Sequence, residues 1–248
     1  MGKKLIDPVT GIIFRSHGEK CLAILFEPDT PKPWPAILLC HGFPGIDKHY
    51  DIAEGFRENG FLSLIIHYRG TCGSDGSFSF FGALDDASAA LDYLESREDV
   101  LKSKLAIFGH SMGSWVAIIT AARDPRIKAI VSASGVGDTS KYKRADTPTL
   151  EPYYHFVNGL TPEIIKEERK IRERDYNPIN YVDTISPKPL LIVHGDSDAW
   201  VDVRHSKLLY NKAKEPKELY IVENTDHRFT RKRQKVIKKI VKWMKKNL

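Results

Sequence analysis

Long hydrophobic runs are absent from the sequence. The longest largely apolar stretches, residues 36–40 and 61–66, are far shorter than the roughly 20 residues that a membrane-spanning helix needs. The first residues carry positive charge without an apolar stretch behind it, so we expect no secretory signal. The sequence therefore predicts a protein that does not contact membranes.

Cysteine is scarce and odd in number. Cys21, Cys40 and Cys72 are the three cysteines of a 248-residue chain, and each lies in or beside a predicted strand. Such a set is typical of free thiols in a reducing compartment and not of a disulfide framework. We therefore predict a cytoplasmic location.

Recognisable cofactor motifs are also missing. No group of His, Cys, Asp and Glu has the spacing of metal ligands, so no metal is predicted. The glycines of residues 69–74 resemble a phosphate-binding loop, but they do not fit G-x-x-x-x-G-K-[ST] and do not open a helix cleanly. We predict neither a nucleotide nor any other cofactor.

Acidic residues are outnumbered by basic residues, and the formal net charge is +6. Much of the excess lies in residues 228–246, which hold ten lysines and arginines and no acid. Apolar residues recur there at helical spacing, which predicts a terminal helix with one buried face and one solvated basic face. No interleaved aromatics suited to stacking accompany the charges, so we predict no nucleic-acid partner. Whether this helix supports a homodimer stays open.

Strands and amphipathic helices alternate along most of the chain. This rhythm predicts an α/β protein whose mostly parallel sheet is covered by helices on both faces, and the length fits one domain over residues 1–248. The rhythm breaks at residues 136–187, where tyrosines surround a charged helix predicted at 162–174. A connection of about fifty residues is too long for a plain loop, so we expect a small lid insertion. It would either pack only on itself and the sheet edge or supply walls for an apolar or aromatic acyl group.

Residues 105–118 carry the strongest functional signal. A strand-like apolar run precedes G-H-S-M-G at 109–113, which fits G-x-S-x-G, and helix-compatible residues follow. A sharp strand-to-helix turn at a serine strains its backbone and exposes its hydroxyl. A side chain at Gly109 or Gly113 would collide with the neighbouring strand or helix. An ordinary glycine-rich turn is the alternative, and the rest of the chain argues against it.

Five short motifs follow one another along the chain. They are HGFPG at 41–45, RGTCGS at 69–74, GHSMG at 109–113, HGDSD at 194–198 and DHRF at 226–229. In this order they resemble the α/β-hydrolase family over nearly the whole chain. The first motif and the short aromatic insertion are similar to small serine esterases of the cinnamoyl (feruloyl) type, to the catalytic domains of acylaminoacyl and prolyl peptidases, and to dienelactone hydrolases. Dienelactone hydrolases use a cysteine nucleophile, whereas this chain has Ser111.

The resemblance implies a Ser-His-Asp triad. Ser111 is the expected nucleophile, and it needs a base within hydrogen-bond reach. His227 is the expected base, because it lies in the loop before the last helix and completes the order nucleophile, acid, base. His205 competes with it, although it is predicted inside a helix, and His194 is predicted to be a packed core residue.

Three carboxylates compete for the role of the acid. The family pattern favours Asp198, with Val201 three positions on, as the residue that orients the histidine. Asp196 would then brace the loop, and Asp202 would cap the following helix. An exchange between Asp196 and Asp198 is the main alternative.

The remaining site residues follow from the resemblance alone. The backbone N–H groups of Met112 and Phe43 are expected to form the oxyanion hole, and the Phe43 ring should also line the pocket. Asp138 and Tyr142, at the entrance of the insertion, are expected to hydrogen-bond a ring hydroxyl of the substrate.

These residues lead to one expected function and three alternatives. We predict a serine carboxylesterase that cleaves short-chain or aryl, including hydroxycinnamoyl, esters through an acyl-enzyme. The alternatives are a thioesterase, a peptidase for short or acylated peptides, and a ligand receptor on the same scaffold. Such peptidases usually carry an added propeller domain, for which 248 residues leave no room. Such receptors commonly lack a triad member, and none is missing here.

Overall fold

The structure is a computed structural model that describes residues 8–141 and 151–248. The strands in these ranges are β1 (Val9–Ser16), β2 (Glu19–Phe26), β3 (Trp34–Cys40), β4 (Leu62–Ile66), β5 (Val100–His110), β6 (Ile127–Ala133), β7 (Leu190–Gly195) and β8 (Lys217–Val222). The α-helices are α1 (Tyr50–Arg57), α2 (Phe80–Ser96), α3 (Met112–Arg123), α4 (Pro162–Asp175), α5 (Arg204–Lys212) and α6 (Arg233–Asn247).

The strands form one sheet in the order β1-β2-β4-β3-β5-β6-β7-β8. Strand β2 runs antiparallel to β1 and β4, and the other neighbouring pairs are parallel. Strands β3, β4, β6 and β7 are buried almost throughout, and β5 is buried over its second half, because helices cover both faces of the sheet. The predicted α/β fold with its mostly parallel sheet is confirmed.

Each face of the sheet has its own apolar core. Helices α2 and α3 pack on one face, and α1 and α6 pack on the other. The basic helix α6 buries one apolar stripe, which consists of Val236, Ile237, Ile240, Val241, Trp243 and Met244. Burying a large apolar side chain stabilises a fold by about 1.5–3 kcal/mol, so this stripe is sufficient to explain why the helix docks. Most of its lysines stay exposed, as predicted.

Polar side chains lie at the starts of α2 and α5. Helix α2 begins at Phe80, because the side chain of Ser79 accepts the N–H of Gly82 and caps it there. Helix α5 has Val203 as its N-cap, so the expected cap at Asp202 is wrong by one position. The Asp202 carboxylate accepts the N–H of Arg204 instead, at 2.7 Å.

Residues 136–187 form structure of their own where they are described. Besides α4 they hold short 3₁₀ turns at Thr139–Lys141, Glu151–Phe156, Pro178–Asn180 and Val182–Thr184. Polar contacts attach this span to the helices beneath it. The indole N–H of Trp115 donates to the carbonyl of Tyr176 at 2.7 Å, and the Glu168 carboxylate accepts the N–H of Phe80 at 2.8 Å.

The three cysteines are free, as predicted. Burial raises the pKa of the Cys21 and Cys40 thiols to about 12, so both are neutral. None of the helices in the described ranges is both long and apolar enough to cross a membrane.

Candidate active site

Ser111 lies at the turn between β5 and α3. Its backbone has φ 57° and ψ −118°, a strained combination for a residue with a side chain. The two neighbouring glycines make the turn sterically possible. A Cβ on Gly109 would lie 2.0 Å from the carbonyl oxygen of Gly113, and a Cβ on Gly113 would lie 1.9 Å from that of Cys40. The collisions expected at these two positions are confirmed, and the serine hydroxyl is presented at the carboxyl end of the sheet.

Asp198 is buried completely and makes a hydrogen bond to His227. Its Oδ2 lies 2.7 Å from His227 Nδ1, and its Oδ1 accepts the N–H groups of Trp200 and Val201 at 2.8 and 2.9 Å. Burial alone would raise the pKa of Asp198, but hydrogen bonds from His194 and His227 outweigh it and hold that pKa well below its usual value. The carboxylate is therefore ionised, so Nδ1 of His227 carries the proton and Nε2 is left as an acceptor.

His194 is a second partner of the same carboxylate. Its Nε2 lies 3.1 Å from Asp198 Oδ2 and 2.8 Å from the carbonyl oxygen of Val201, and both of these atoms are acceptors. Nε2 therefore carries the proton, and Nδ1 accepts the hydroxyl of Ser206 at 2.6 Å. The residue is buried, as predicted from the sequence, and it also orients the acid.

Two further side chains hold the loop that carries His227. His110, the residue before Ser111, donates from Nε2 to the carbonyl oxygen of His227 at 2.7 Å. Burial lowers the pKa of His110 well below its usual value, so the ring is a neutral donor. Arg233 donates to the carbonyl of Arg228 at 3.1 Å and makes a two-bond ion pair with Asp51 at 2.7 and 2.8 Å. The serine and the histidine loops are thus connected directly.

One group of described side chains has the chemistry of a metal site, although its sequence spacing does not suggest one. Ligand atoms of Asp47, His49 and His110 lie within 4.8 Å of one another. The guanidinium of Arg233 donates to His49 Nδ1 at 2.9 Å and lies 3.5 Å from Asp47 Oδ2. Because a fixed cation already uses two of the ligands, this group is better explained as a buried hydrogen-bond network.

Ser111 and His227 line the same cavity. Its other walls are mostly apolar or aromatic, with three arginines; they are Phe43, Pro44, Ile46, Phe80, Met112, Trp115, Val136, Thr139, Tyr153, Tyr154, Ile165, Arg169, Arg172, Trp200, Val201 and Arg228. Seven of these residues, from Val136 to Arg172, belong to the described part of the insertion. The insertion therefore contributes walls to the cavity as well as packing on the sheet.

The HGFPG loop approaches Ser111 closely. A Cβ on Gly42 would lie 3.0 Å from the Cβ of Ser111, which places the backbone of residues 42 and 43 beside the serine hydroxyl. His41 braces the loop by donating from Nδ1 to the carbonyl of Gly42 at 2.8 Å, and burial lowers its pKa to about 3. Phe43 lines the cavity, with its ring stacked on that of Phe80 at 6.0 Å, and Met112 is the first residue of α3.

The structure does not bring Asp138 to the cavity. Its carboxylate accepts hydrogen bonds from the Ser140 hydroxyl at 2.6 Å and from Asn177 at 2.8 Å, and these bonds lower its pKa although burial opposes them. Asp138 therefore links the two ends of the insertion by hydrogen bonds. This arrangement corrects the prediction that Asp138 contacts the substrate. Its neighbour Thr139 lines the cavity instead. Tyr142 lies outside the described residues.

The alternative acid, Asp196, and the alternative base, His205, make other contacts. Asp196 is exposed, and its carboxylate accepts the Ser197 hydroxyl at 2.9 Å. His205 is buried on α5, where its Nδ1 accepts the N–H of Asp138 at 3.3 Å. Sequence reasoning missed His110 and Arg233 as supports of the histidine loop. The position of His110 inside G-x-S-x-G was the one available hint.

Comparisons with known proteins identify the family and the fold. Residues 50–248 match the prolyl oligopeptidase family of peptidases. The chain belongs to this family. It is 30% identical to a Bacillus subtilis protein named "Uncharacterized peptidase YtmA", over 94% of this chain and 92% of that one. It is 29% identical to YfhR of Escherichia coli K12 over 194 residues, a match that spans 62% of the length of YfhR.

Solved structures share the fold of this member of the prolyl oligopeptidase family. Est1E from Butyrivibrio proteoclasticus, solved with ferulic acid bound, has a TM-score of 0.80 at 23% identity and is covered over 98% of its length by 95% of this chain. The α/β hydrolase GrgF from Penicillium sp. sh18 has a TM-score of 0.77 at 21% identity, with 97% of this chain covering 99% of GrgF. The predicted resemblance to α/β-hydrolases is therefore confirmed.

Proposed function

We propose that this protein is a serine hydrolase of carboxylic esters, with Ser111 as nucleophile, His227 as base and Asp198 as the orienting acid. One observation carries the proposal. The buried Asp198 carboxylate is hydrogen-bonded to His227 Nδ1 at 2.7 Å, and His227 lines one cavity with a serine held at a strained strand-to-helix turn. Short-chain and aryl esters, including hydroxycinnamoyl esters, suit the largely aromatic walls.

The proposed reaction has two halves. His227 Nε2 takes the Ser111 proton as Oγ attacks the ester carbonyl, and the same proton then goes to the departing alcohol. The acyl group stays on Ser111 Oγ. Water, deprotonated by His227, then attacks the acyl-enzyme and releases the acid. Asp198 keeps its negative charge throughout and stabilises the imidazolium that forms in each half.

The backbone N–H groups of Met112 and Phe43 are the proposed donors to the oxyanion. Support comes from the close approach of residue 42 to Ser111 and from the position of Met112 directly after the nucleophile. Removing one such donor typically raises the barrier by about 3 kcal/mol. The chemistry is complete with side chains, backbone and water, so no cofactor enters the proposal. We also propose that residues 136–187 serve as the lid over this pocket.

Burst kinetics with p-nitrophenyl acetate test the proposal. We expect one equivalent of nitrophenol per enzyme in the first turnover, and no burst from Ser111→Ala. Ser197→Ala is the matched control, because its hydroxyl lies in the exposed loop beside Asp198 and contacts Asp196. A burst that persists in Ser111→Ala would overturn the assignment of the nucleophile.

A peptidase is the second candidate. The family match and the likeness to YtmA, whose name calls it a peptidase, favour it specifically. The same triad would then cleave an amide. Turnover of N-acetyl-alanyl p-nitroanilide at a kcat/KM equal to or above that of any ester would favour this candidate, and an acyl-CoA preference would favour a thioesterase. Binding of acyl ligands with no turnover would favour a receptor.

A further inference from the structure

The aromatic walls of the cavity fall into two groups of rings, and the first lies beside His227. The Trp200 ring has its centroid 6.4 Å from that of the His227 imidazole and 6.2 Å from that of Tyr153. All three residues line the cavity. Trp200 and Tyr153 are here called the histidine-side group. Trp200 comes from the loop after β7 and Tyr153 from the inserted span, so two parts of the chain meet beside the proposed base.

A second group of rings lines the cavity on the side of the proposed oxyanion hole. The ring of Phe43, whose N–H is a proposed donor, has its centroid 6.0 Å from that of Phe80 and 6.3 Å from that of Tyr154. These three residues are here called the oxyanion-side group. Tyr153 and Tyr154 are consecutive residues of the turn Glu151–Phe156. One turn of the inserted span therefore supplies a ring to each group.

The proposed catalytic acid fixes the backbone of Trp200. The N–H of Trp200 donates to Asp198 Oδ1 at 2.8 Å, while Oδ2 of the same carboxylate lies 2.7 Å from His227 Nδ1. One buried carboxylate therefore holds both the indole-bearing residue and the imidazole, which keeps the two rings side by side. Because this hydrogen bond uses the backbone of Trp200, a substitution of the side chain leaves the donor in place.

The chemistry of ester cleavage places the two halves of a substrate differently with respect to His227. In the first half of the reaction, the proton from Ser111 passes through His227 Nε2 to the oxygen of the departing alcohol. That oxygen must therefore come within hydrogen-bond reach of Nε2, whereas the carbonyl oxygen faces the oxyanion donors. The alcohol half of the ester consequently begins beside the histidine-side group.

We propose that the histidine-side group is a subsite for an aromatic leaving group, so that esters of phenols and arylmethyl alcohols are preferred over esters of saturated alcohols. This inference rests on the proposed function and assigns the alcohol half of the substrate. A flat ring can lie against Trp200 and Tyr153 in offset or edge-to-face contact, the arrangements that aromatic pairs favour. A saturated ring of the same size buries a similar apolar area but does not make these contacts.

Two matched pairs of esters test the inference. Benzyl acetate and cyclohexylmethyl acetate carry an aromatic or a saturated ring on the alcohol half, and they release alcohols of similar acidity. Methyl phenylacetate and methyl cyclohexylacetate carry the same rings on the acyl half. Dividing each kcat/KM by the rate of alkaline hydrolysis removes intrinsic differences in reactivity. We expect the corrected kcat/KM to be about fivefold to tenfold higher for benzyl acetate than for cyclohexylmethyl acetate.

Substitutions in the two groups then connect the preference to the rings. Trp200→Leu keeps an apolar side chain and should reduce the preference for benzyl acetate to about twofold or less, with the ratio of the acyl pair changed by less than about twofold. Trp200→Phe keeps a ring and should retain a larger part of the preference. Tyr153→Leu should lower it about threefold, and it decides the matter if Trp200→Leu does not fold. Tyr154→Leu is the crossed control, because it removes a ring of the oxyanion-side group from the same turn and should leave the preference for benzyl acetate in place.

Failure of this inference is distinguishable from failure of the proposed function. If both acetates are cleaved in a Ser111-dependent reaction at equal corrected kcat/KM, the esterase stands and the aromatic subsite is overturned. A preference that survives Trp200→Leu combined with Tyr153→Leu, or that Tyr154→Leu removes equally, overturns it as well.

If no ester is cleaved at all, an NMR titration of the protein decides. The indole N–H signal that is missing from Trp200→Phe identifies Trp200. This signal should shift when benzyl alcohol is added and shift much less with cyclohexylmethanol. Equal shifts with the two alcohols, or no shift with either, would overturn the inference.

Discussion

The edge of the sheet that carries Ser111, Asp198 and His227, here called the catalytic edge, is built differently from the inserted span of residues 136–187. At the catalytic edge the backbone itself has no spare room, since a single Cβ on Gly113 would lie 1.9 Å from a carbonyl oxygen. Asp198 is held by four separate donors, two backbone and two side-chain.

Side chains attach the inserted span to the rest of the protein at several points. A carboxylate, an indole and an ion pair tie it to the rest of the protein, through Glu168, Trp115 and Asp183. Each of these contacts joins residues that are far apart in sequence. The groups proposed to do the chemistry are therefore fixed by local backbone geometry. The groups proposed to select the substrate depend instead on side chains that can be altered one at a time. Substitutions at the catalytic edge should therefore affect kcat and the free energy of unfolding, whereas substitutions in the inserted span should affect KM.

The largest expected effect at the catalytic edge is that of Asp198→Asn. An asparagine cannot hold His227 in the required tautomer, and the same change in other triads lowers kcat by about 10⁴-fold. Steady-state hydrolysis of p-nitrophenyl acetate measures it. Asp196→Asn is the matched control and should keep kcat within about twofold, because Asp196 is exposed and its carboxylate accepts the hydroxyl of the next residue, Ser197. If Asp196→Asn lowered kcat and Asp198→Asn did not, Asp196 would be the residue that orients His227.

Gly113→Ala should be the most damaging small substitution for folding. The added methyl must displace the backbone of Cys40, so we expect the free energy of unfolding to fall by about 3 kcal/mol or more. Gly11→Ala on β1 is the control, because nothing lies within 4 Å of a Cβ built there. Urea denaturation compares them. Equal stability of the two variants would show that the turn is not sterically constrained.

Buried histidines at the strand ends should make the catalytic edge sensitive to acid. Burial lowers the pKa of His67 to about 4, against about 6.5 for a histidine in an unfolded chain. Between these values the unfolded state binds more protons than the folded state, so the free energy of unfolding falls as the pH is lowered from about 6.5 towards 4. Above this window the histidine is neutral in both states and contributes nothing to the pH dependence.

His67→Gln tests this pH dependence. The slope of the unfolding free energy against pH should become shallower by up to about 1.4 kcal/mol per pH unit between pH 6 and 4.5. Urea titrations at several pH values measure the slope for this variant and for the unsubstituted protein. An unchanged slope in His67→Gln would contradict the account of a buried neutral ring.

The smallest expected effect belongs to the inserted span. Glu168→Gln removes the negative charge that accepts Ser79 and Phe80 at the start of α2, so α4 should dock less firmly over the cavity. We expect KM for an aryl ester to rise about threefold to fivefold, with kcat for p-nitrophenyl acetate within about twofold. Glu167→Gln, exposed on the same helix, is the control. A loss of kcat with KM unchanged would remove the distinction between the two regions.

Much of the catalytic edge could be predicted from the sequence because its constraints are local. A glycine on each side of Ser111, and an aspartate three residues before Val201, are short patterns that one turn of backbone explains. Sequence alone could not choose firmly between Asp196 and Asp198, since both lie in the same loop. The structure separates them by burial and by the bond to His227.

Residues that act across long sequence distances escaped prediction. Asp138 was expected at the substrate, but Asn177, 39 residues later, holds its carboxylate. The start of α2 depends on Glu168, 88 residues away, which accepts the first N–H of that helix. His110 and Arg233 escaped notice for the same reason. Their partners are backbone carbonyls of the histidine loop, and no sequence pattern marks a carbonyl.

Covalent labelling by diisopropyl fluorophosphate tests the central claim most directly. The reagent phosphorylates a serine only where a neighbouring base activates the hydroxyl. We predict a single adduct, located by peptide mass spectrometry at Ser111, whose rate of formation falls by more than about 10³-fold in His227→Ala. An adduct on another serine, or an unchanged rate in His227→Ala, would contradict the account.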